Sequence, residues 1–210
     1  MDNTKAWKKE IAYFMRRLYK RGLTTTSGGN ISVQLPSGIV LITPSQTDKG
    51  RMKADDIAMV DMRARILSTK LKPSMETGMH LAVYHARPEI RCLVHAHPPF
   101  ATAYAASHLN IDTSIIGEAH AVIGKAVLAP YALMGSDELA ANVAKAAKEA
   151  NVIVLANHGV LALGTNLLEA FDRLEVIESC ARIGLYGRLL GKSHPLNSDQ
   201  LAAIDNFLKP

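Results

Sequence analysis

Apolar residues recur along this chain in two rhythms, one of three to four residues and one of short unbroken runs. Trp7, Ile11, Phe14 and Leu18 follow the first rhythm, set among Lys5, Lys8, Lys9, Arg16, Arg17, Lys20 and Arg21. That pattern predicts an amphipathic helix, opened by Asn3 or Thr4 and ended at Gly22. Short runs predict strands over Ile31–Leu35 and Ile39–Thr43, joined by the turn Pro36-Ser37-Gly38, and further strands over Ile57–Asp61 and Arg65–Leu67. Helices follow over Met75–Ala86 and Phe100–Ser107, with a buried strand at Arg91–Val94 between them. Ser114–Ile116 and Ala126–Leu128 read as extended. Ser136-Asp137 opens a helix to about Ala150. Asn151–Ala156 is a strong strand that Asn157-His158-Gly159 interrupts and Val160–Leu163 resumes. A long helix from Leu167 to Leu190 and a short one near Gln200–Leu208 close the chain. With no repeat and no linker, these elements predict one domain over residues 1–210. Its expected class is α/β: three α/β/α layers around a largely antiparallel sheet.

Composition narrows the class of function. The chain has 210 residues, is 48% apolar and carries 24 basic against 19 acidic residues, a formal charge of +5. A chain this apolar buries enough surface to offset the entropy of ordering, so it is not a disordered protein. No run approaches the roughly 18–20 apolar residues of a membrane span, and Met1–Glu10 lacks the apolar core of a signal peptide. With only Cys92 and Cys180, no disulfide framework is expected, and a reduced, cytoplasmic setting is the default. The basic residues are scattered apart from the first helix, where they read as its solvated face. Nucleic acid is therefore not an expected partner; mild positive charge suits a small anionic substrate.

The most informative chemistry is Leu93-Val94-His95-Ala96-His97-Pro98. Histidines at i and i+2 on an extended segment share a face, so both imidazoles reach one ion. His158, at the break in a strongly apolar strand, is the third candidate. Three His ligands leave an open fourth position, as in catalytic zinc. His80, His85 and His108 fall on or near helices and read as packing or surface residues. His120 is a candidate neighbour of the site, and His194 has no evident role. Glu76 and Glu118 are the acidic candidates. Each reads either as a general acid/base or as a carboxylate that merely offsets a helix dipole. Gly29, Asn30, Ser45 and Ser74 lie in small polar loops that suit an anion cradle, although Gly-Gly-Asn is also an ordinary turn. The signatures of P-loop enzymes, dinucleotide-binding dehydrogenases, zincins, elbow-type serine hydrolases and zinc deaminases are all missing.

Gly28-Gly29-Asn30-Ile31-Ser32, Thr43-Pro44-Ser45, Pro73-Ser74-Met75-Glu76, His95-Ala96-His97-Pro98, Ala129-Pro130-Tyr131 and Asn157-His158-Gly159 occur in that order. Together they resemble the zinc-dependent class II aldolase family, over nearly the whole chain. The resemblance implies Zn2+ held by His95, His97 and His158, with Glu76 beside the open position. It also implies a homotetramer with active sites at subunit interfaces, and a phosphate pocket lined by Gly29, Asn30, Ser45, Gln46, Ser74 and Met75. The implied activity is retro-aldol cleavage of a ketose 1-phosphate to dihydroxyacetone phosphate and an aldehyde. Glu76 would move the proton on the ene-diolate carbon, and Glu118 would serve the aldehyde-side hydroxyl. Epimerases, dehydratases and decarboxylases of related substrates share the same first steps and stand as alternatives. The chain departs from the family at Gln46, where the family often has Gly, and at Met75, where it often has Ser. The family's two tyrosines have no evident counterpart.

Overall fold

Asn3 accepts a hydrogen bond from the Ala6 N–H at 3.3 Å and opens α1 (Thr4–Lys20). The computed structural model describes residues 3–68 and 70–208. Residues 1, 2, 69, 209 and 210, which the expected domain also includes, lie outside the described residues.

After α1 the chain forms a meander: β1 (Asn30–Gln34), β2 (Val40–Ile42), β3 (Ala58–Val60) and β4 (Ile66–Ser68). Then come α2 (Thr77–Ala86), β5 (Cys92–Ala96), α3 (Pro99–Ala106), α4 (Gly117–Ile123), β6 (Ala126–Ala129) and α5 (Asp137–Ala147). β7 (Val152–Leu155), β8 (Gly159–Gly164), α6 (Leu167–Leu189) and α7 (Ser198–Phe207) complete the chain. The strands form one sheet in the order β4-β3-β2-β1-β5-β8-β7-β6. Among the described residues only the β6–β7 pair is parallel.

Period-two alternation divides the core between the two faces of the sheet. Cys92, Val94 and Ala96 of β5 pack with Ile11, Phe14 and Leu18 of α1 and with Phe171, Leu174 and Ile177 of α6. Leu93 points the other way, into the cluster of Met79, Val83 and Tyr84 from α2 and Leu139 and Val143 from α5. Fully burying a side chain of this kind contributes about 1.5–3 kcal/mol. The three layers are therefore α1, α3, α4 and α6; the sheet; and α2 and α5. His95 follows Leu93 by two residues and shares its face.

Two expectations need correcting. Asn157-His158-Gly159 does not interrupt one strand: the chain reverses there, and β7 and β8 pair antiparallel as a hairpin. Ser114–Ile116 is not extended throughout. Thr113–Ile115 is a 3-10 turn opened by the Asp112 side chain, and it leads into α4. That seven-residue helix begins with Gly and has weak propensity; burial of Ala119 and Ile123, four apart, holds it.

Candidate metal centre

His95 is the penultimate residue of β5 with none of its surface exposed, and His97 lies one step beyond the strand. His158 reaches them because β8 pairs with β5, with Ala96 opposite Val160. Gly159 makes that approach possible: a Cβ there would stand 2.5 Å from the Ala96 carbonyl oxygen and 2.6 Å from His97 Cδ2. Asn157 adopts φ +54°, a left-handed conformation that Asn tolerates. The turn is pinned by the Asn157 N–H on the Ala105 carbonyl (3.2 Å) and by His108 Nε2 against Asn157 Oδ1 (2.6 Å).

The three rings converge. Their centroids stand 4.8 to 5.4 Å apart, and one nitrogen from each lies within 4.8 Å of the others. His95 Nδ1 donates to the Val160 carbonyl at 2.9 Å, so its Nε2 faces the cluster. His95 Nε2 and His97 Nε2 are 3.2 Å apart. Nitrogens about 2.0–2.1 Å from a tetrahedral zinc ion stand about 3.3 Å apart. Both ring nitrogens of His158, and Glu76 Oε1, are buried without a hydrogen-bond partner. Buried polar atoms are rarely left so. The donor set and these orphaned atoms fit one divalent transition metal ion.

Glu76 precedes the first residue of α2, with Oε2 3.2 Å from His95 Nε2 and Oε1 3.2 Å from His158 Nε2. Burial pushes its carboxyl up, but the His95 charge and hydrogen bond, His158 and Asn30 together hold it well below the usual carboxylate range. Burial pushes His97 down to about 3 and His158 down to about 4, helped by the charge of His95. His95 is the exception: burial lowers it, but the Glu76 carboxylate outweighs that and raises it.

A buried polar chain runs from Glu76 into the fold. Asn30 Nδ2 donates to Glu76 Oε2 at 2.7 Å. Asn30 Oδ1 must then accept, so His80 Nε2 donates to it at 2.5 Å. His80 Nδ1 is left as acceptor for the Ser32 hydroxyl at 2.6 Å, and Ser32 Oγ meets the Tyr84 hydroxyl at 2.7 Å. Sequence reasoning read His80 as packing or surface. It is fully buried, burial holding it neutral at about 3, and it fixes which way Asn30 presents its amide to Glu76. The available signal was pairing: a polar residue at every second position of β1 has to meet a polar partner on α2.

A cleft of about 180 Å³ opens beside the histidines. It is lined by Gly29, Asn30, Ser45, Gln46, Ser74, Met75, Glu76, His97 and His158 of the expected set, and also by Ser27, Gly28, Lys49 and Met134. His95 lies behind this lining. Gly29 adopts φ +67°, and a Cβ there would stand 2.7 Å from the His95 carbonyl oxygen. Gln46 adopts φ +52°, a left-handed conformation that glycine takes without strain. Glu118 is not brought to this cleft: it is exposed in the first turn of α4. His120 contacts Asp205 Oδ1 at 2.8 Å and ties α4 to α7. No helix among the described residues is long and apolar enough to cross a membrane.

Layered α/β architecture with convergent imidazoles beside a polar cleft defines an enzyme domain able to bind a metal ion. The chain belongs to the class II aldolase and adducin N-terminal domain family, whose profile matches residues 9–185. It is 33% identical over 183 residues to the 3-oxo-tetronate 4-phosphate decarboxylase of Haemophilus influenzae, covering 85% of this chain and 86% of that protein. It is 32% identical over 196 residues to the 5-deoxy-D-ribulose 1-phosphate aldolase of Bacillus thuringiensis serovar kurstaki, covering 92% and 91%. A solved structure of an L-fuculose 1-phosphate aldolase superposes with a TM-score of 0.89 at 34% identity, covering 95% of each chain.

Proposed function

We propose that this chain is a zinc-dependent lyase that cleaves a ketose 1-phosphate to dihydroxyacetone phosphate and an aldehyde. The observation that supports the reading is one cleft that carries both chemistries: His97, His158 and Glu76 line it together with Gly29, Asn30, Ser45 and Ser74, and His95 completes the imidazole cluster behind the lining. His95, His97 and His158 would hold the ion; all three ligands are neutral when bound, so its full charge remains available. A divalent ion there supplies Lewis acidity toward the negative charge that develops when the carbon–carbon bond breaks.

The chain's own groups do the rest. Glu76, ionised and aimed by Asn30, takes the proton from carbon in the condensation direction and returns it in cleavage. Ser74 accepts the Glu76 N–H at 3.2 Å, which leaves its O–H free to donate to a bound anion. Glu118 is away from its own protomer's cleft. It serves the aldehyde-side hydroxyl only if a neighbouring copy presents it, as in a homotetramer with interface sites. Cytoplasmic location fits the buried, unpaired Cys92 and Cys180.

Decarboxylation of a phosphorylated keto acid is the second reading, favoured by the Haemophilus influenzae relative. It passes through the same enolate and needs the same first residues. Epimerase and dehydratase chemistry also begin there. Product analysis on ketose phosphates and phosphorylated keto acids separates them. An aldehyde released together with dihydroxyacetone phosphate supports the aldolase, and carbon dioxide released without an aldehyde supports the decarboxylase. An isomer or a dehydrated ketone would replace both readings.

A further inference from the structure

Lys49 is almost fully buried, with 1% of its surface exposed, yet it belongs to the lining of the cleft. Lysine is almost never buried without a counter-ion. Here Nζ donates to the Pro44 carbonyl at 2.6 Å, and among the described residues no carboxylate lies within ion-pair distance of it. An ammonium has three donors, and this one has a single protein partner. The position is built. Asp48 caps the short 3-10 turn Lys49–Arg51, and the Lys49 N–H donates to the Thr26 carbonyl at 2.8 Å, beside Ser27 and Gly28 of the cleft. Pro44, the acceptor of Nζ, immediately precedes Ser45 and the strained Gln46. The cleft's other charged group, Glu76, is engaged with Asn30 and the histidines.

We propose that Lys49 is the specificity-determining cation of this cleft, held uncompensated in the fold so that a bound dianion, the doubly ionised phosphate of the substrate, becomes its counter-ion. This rests on the phosphate-ester reading above and adds to it the group that supplies charge. Hydroxyls and backbone N–H groups bind a phosphate of either charge; a buried ammonium distinguishes the dianion from the monoanion and from a neutral hydroxyl. Burial has pushed Lys49 down to about 8, so it is charged at neutral pH and its charge is lost just above.

The test uses inorganic phosphate titrated into the metal-loaded protein by calorimetry from pH 6 to 9.5. Affinity should rise as phosphate loses its second proton and fall again above pH about 8, where free Lys49 deprotonates. Lys49→Met should weaken phosphate about 10- to 100-fold at pH 7.5 and abolish the alkaline fall. The same variant should keep or gain thermal stability, because it removes an uncompensated buried charge. A structural role predicts the opposite pair, lost stability with unchanged affinity. Lys49→Arg, charged at every pH used, should retain tighter binding than Lys49→Met and lack the alkaline fall. The wild-type pH profile needs no variant, so a variant that fails to fold does not stop the test. Ser74→Ala distinguishes the two levels of the argument. If it weakens phosphate while Lys49→Met and the alkaline limb show nothing, the Lys49 inference is overturned and the phosphate cleft stands. If wild type does not bind phosphate, the phosphate reading fails and the Lys49 inference with it; if Ser74→Ala has no effect while Lys49→Met weakens phosphate and removes the alkaline fall, the Lys49 inference stands and only the Ser74 contact is overturned.

Discussion

Replacing His80 with leucine removes the middle of the buried chain that ends on Glu76. Asn30 Oδ1 loses its only donor, and the Ser32 hydroxyl loses its acceptor but keeps Tyr84. A buried polar atom left unsatisfied costs about 1–3 kcal/mol, so the two together cost about 2–6 kcal/mol at pH 7.5. The two proteins differ in the slope of stability against pH. Burial, with the His95 charge, lowers His80 to about 3 in the fold, against an ordinary value of 6.5. Below pH 6.5 the unfolded chain therefore binds a proton that the native chain refuses. The corresponding stability is fully present above 6.5 and is lost as pH falls, at about 1.4 kcal/mol per pH unit. By pH 4.5 the wild type has lost about 3 kcal/mol on this account and the variant nothing. Urea unfolding of the metal-free proteins between pH 7.5 and 4.5 should show a stability gap that closes toward zero, with the slopes differing by one proton. Parallel slopes, or a gap under about 0.5 kcal/mol at pH 7.5, would refute both the neutral state of His80 and its place in the chain.

Two further variants probe the site. Glu76→Gln should still bind metal, because the three imidazoles remain, but should slow turnover by about 10²–10⁴-fold; steady-state rates beside metal content read both, and an unchanged rate would remove Glu76 from the proton transfer. Gly159→Ala drives a methyl group against the Ala96 carbonyl and the His97 ring. It should lower metal affinity as well as the unfolding midpoint, and metal affinity equal to wild type would show that the close β5–β8 approach does not set the site.

Much of this fold is visible in the spacing of apolar residues, because a buried helix face and a half-buried strand impose different periods. The same periods do not say which strands become neighbours. Val152–Leu155 and Gly159–Gly164 read as one interrupted strand, although Asn157 and Gly159 are turn residues that suit a hairpin equally well, because the apolar runs alone do not say whether the chain reverses between them. Only the antiparallel pairing brings His158 back across to β5. The His95–His97 pair was legible because the two rings are two residues apart at the end of β5, and the i, i+2 rule needs no tertiary information. His80 and Lys49 were hidden for a different reason. A histidine among the apolar residues of a helix looks like packing, and a lysine in a polar loop looks solvated. What distinguishes them is depth, set by β1 lying over α2 and by the Lys49–Arg51 turn folding against Thr26. Glu118 shows the reverse case, a carboxylate prominent in sequence that its own chain leaves at the surface.

The proposed chemistry depends on one divalent ion clasped by His95, His97 and His158. Elemental analysis of the purified protein, paired with turnover before and after exhaustive chelation, decides whether that ion is there and needed. One transition metal ion per chain, zinc foremost, is expected, nearly lost in His95→Ala and His158→Ala, with turnover abolished by the chelator and restored by adding metal back. Undiminished turnover in the metal-stripped protein, or full metal content in the His95→Ala variant, would contradict it.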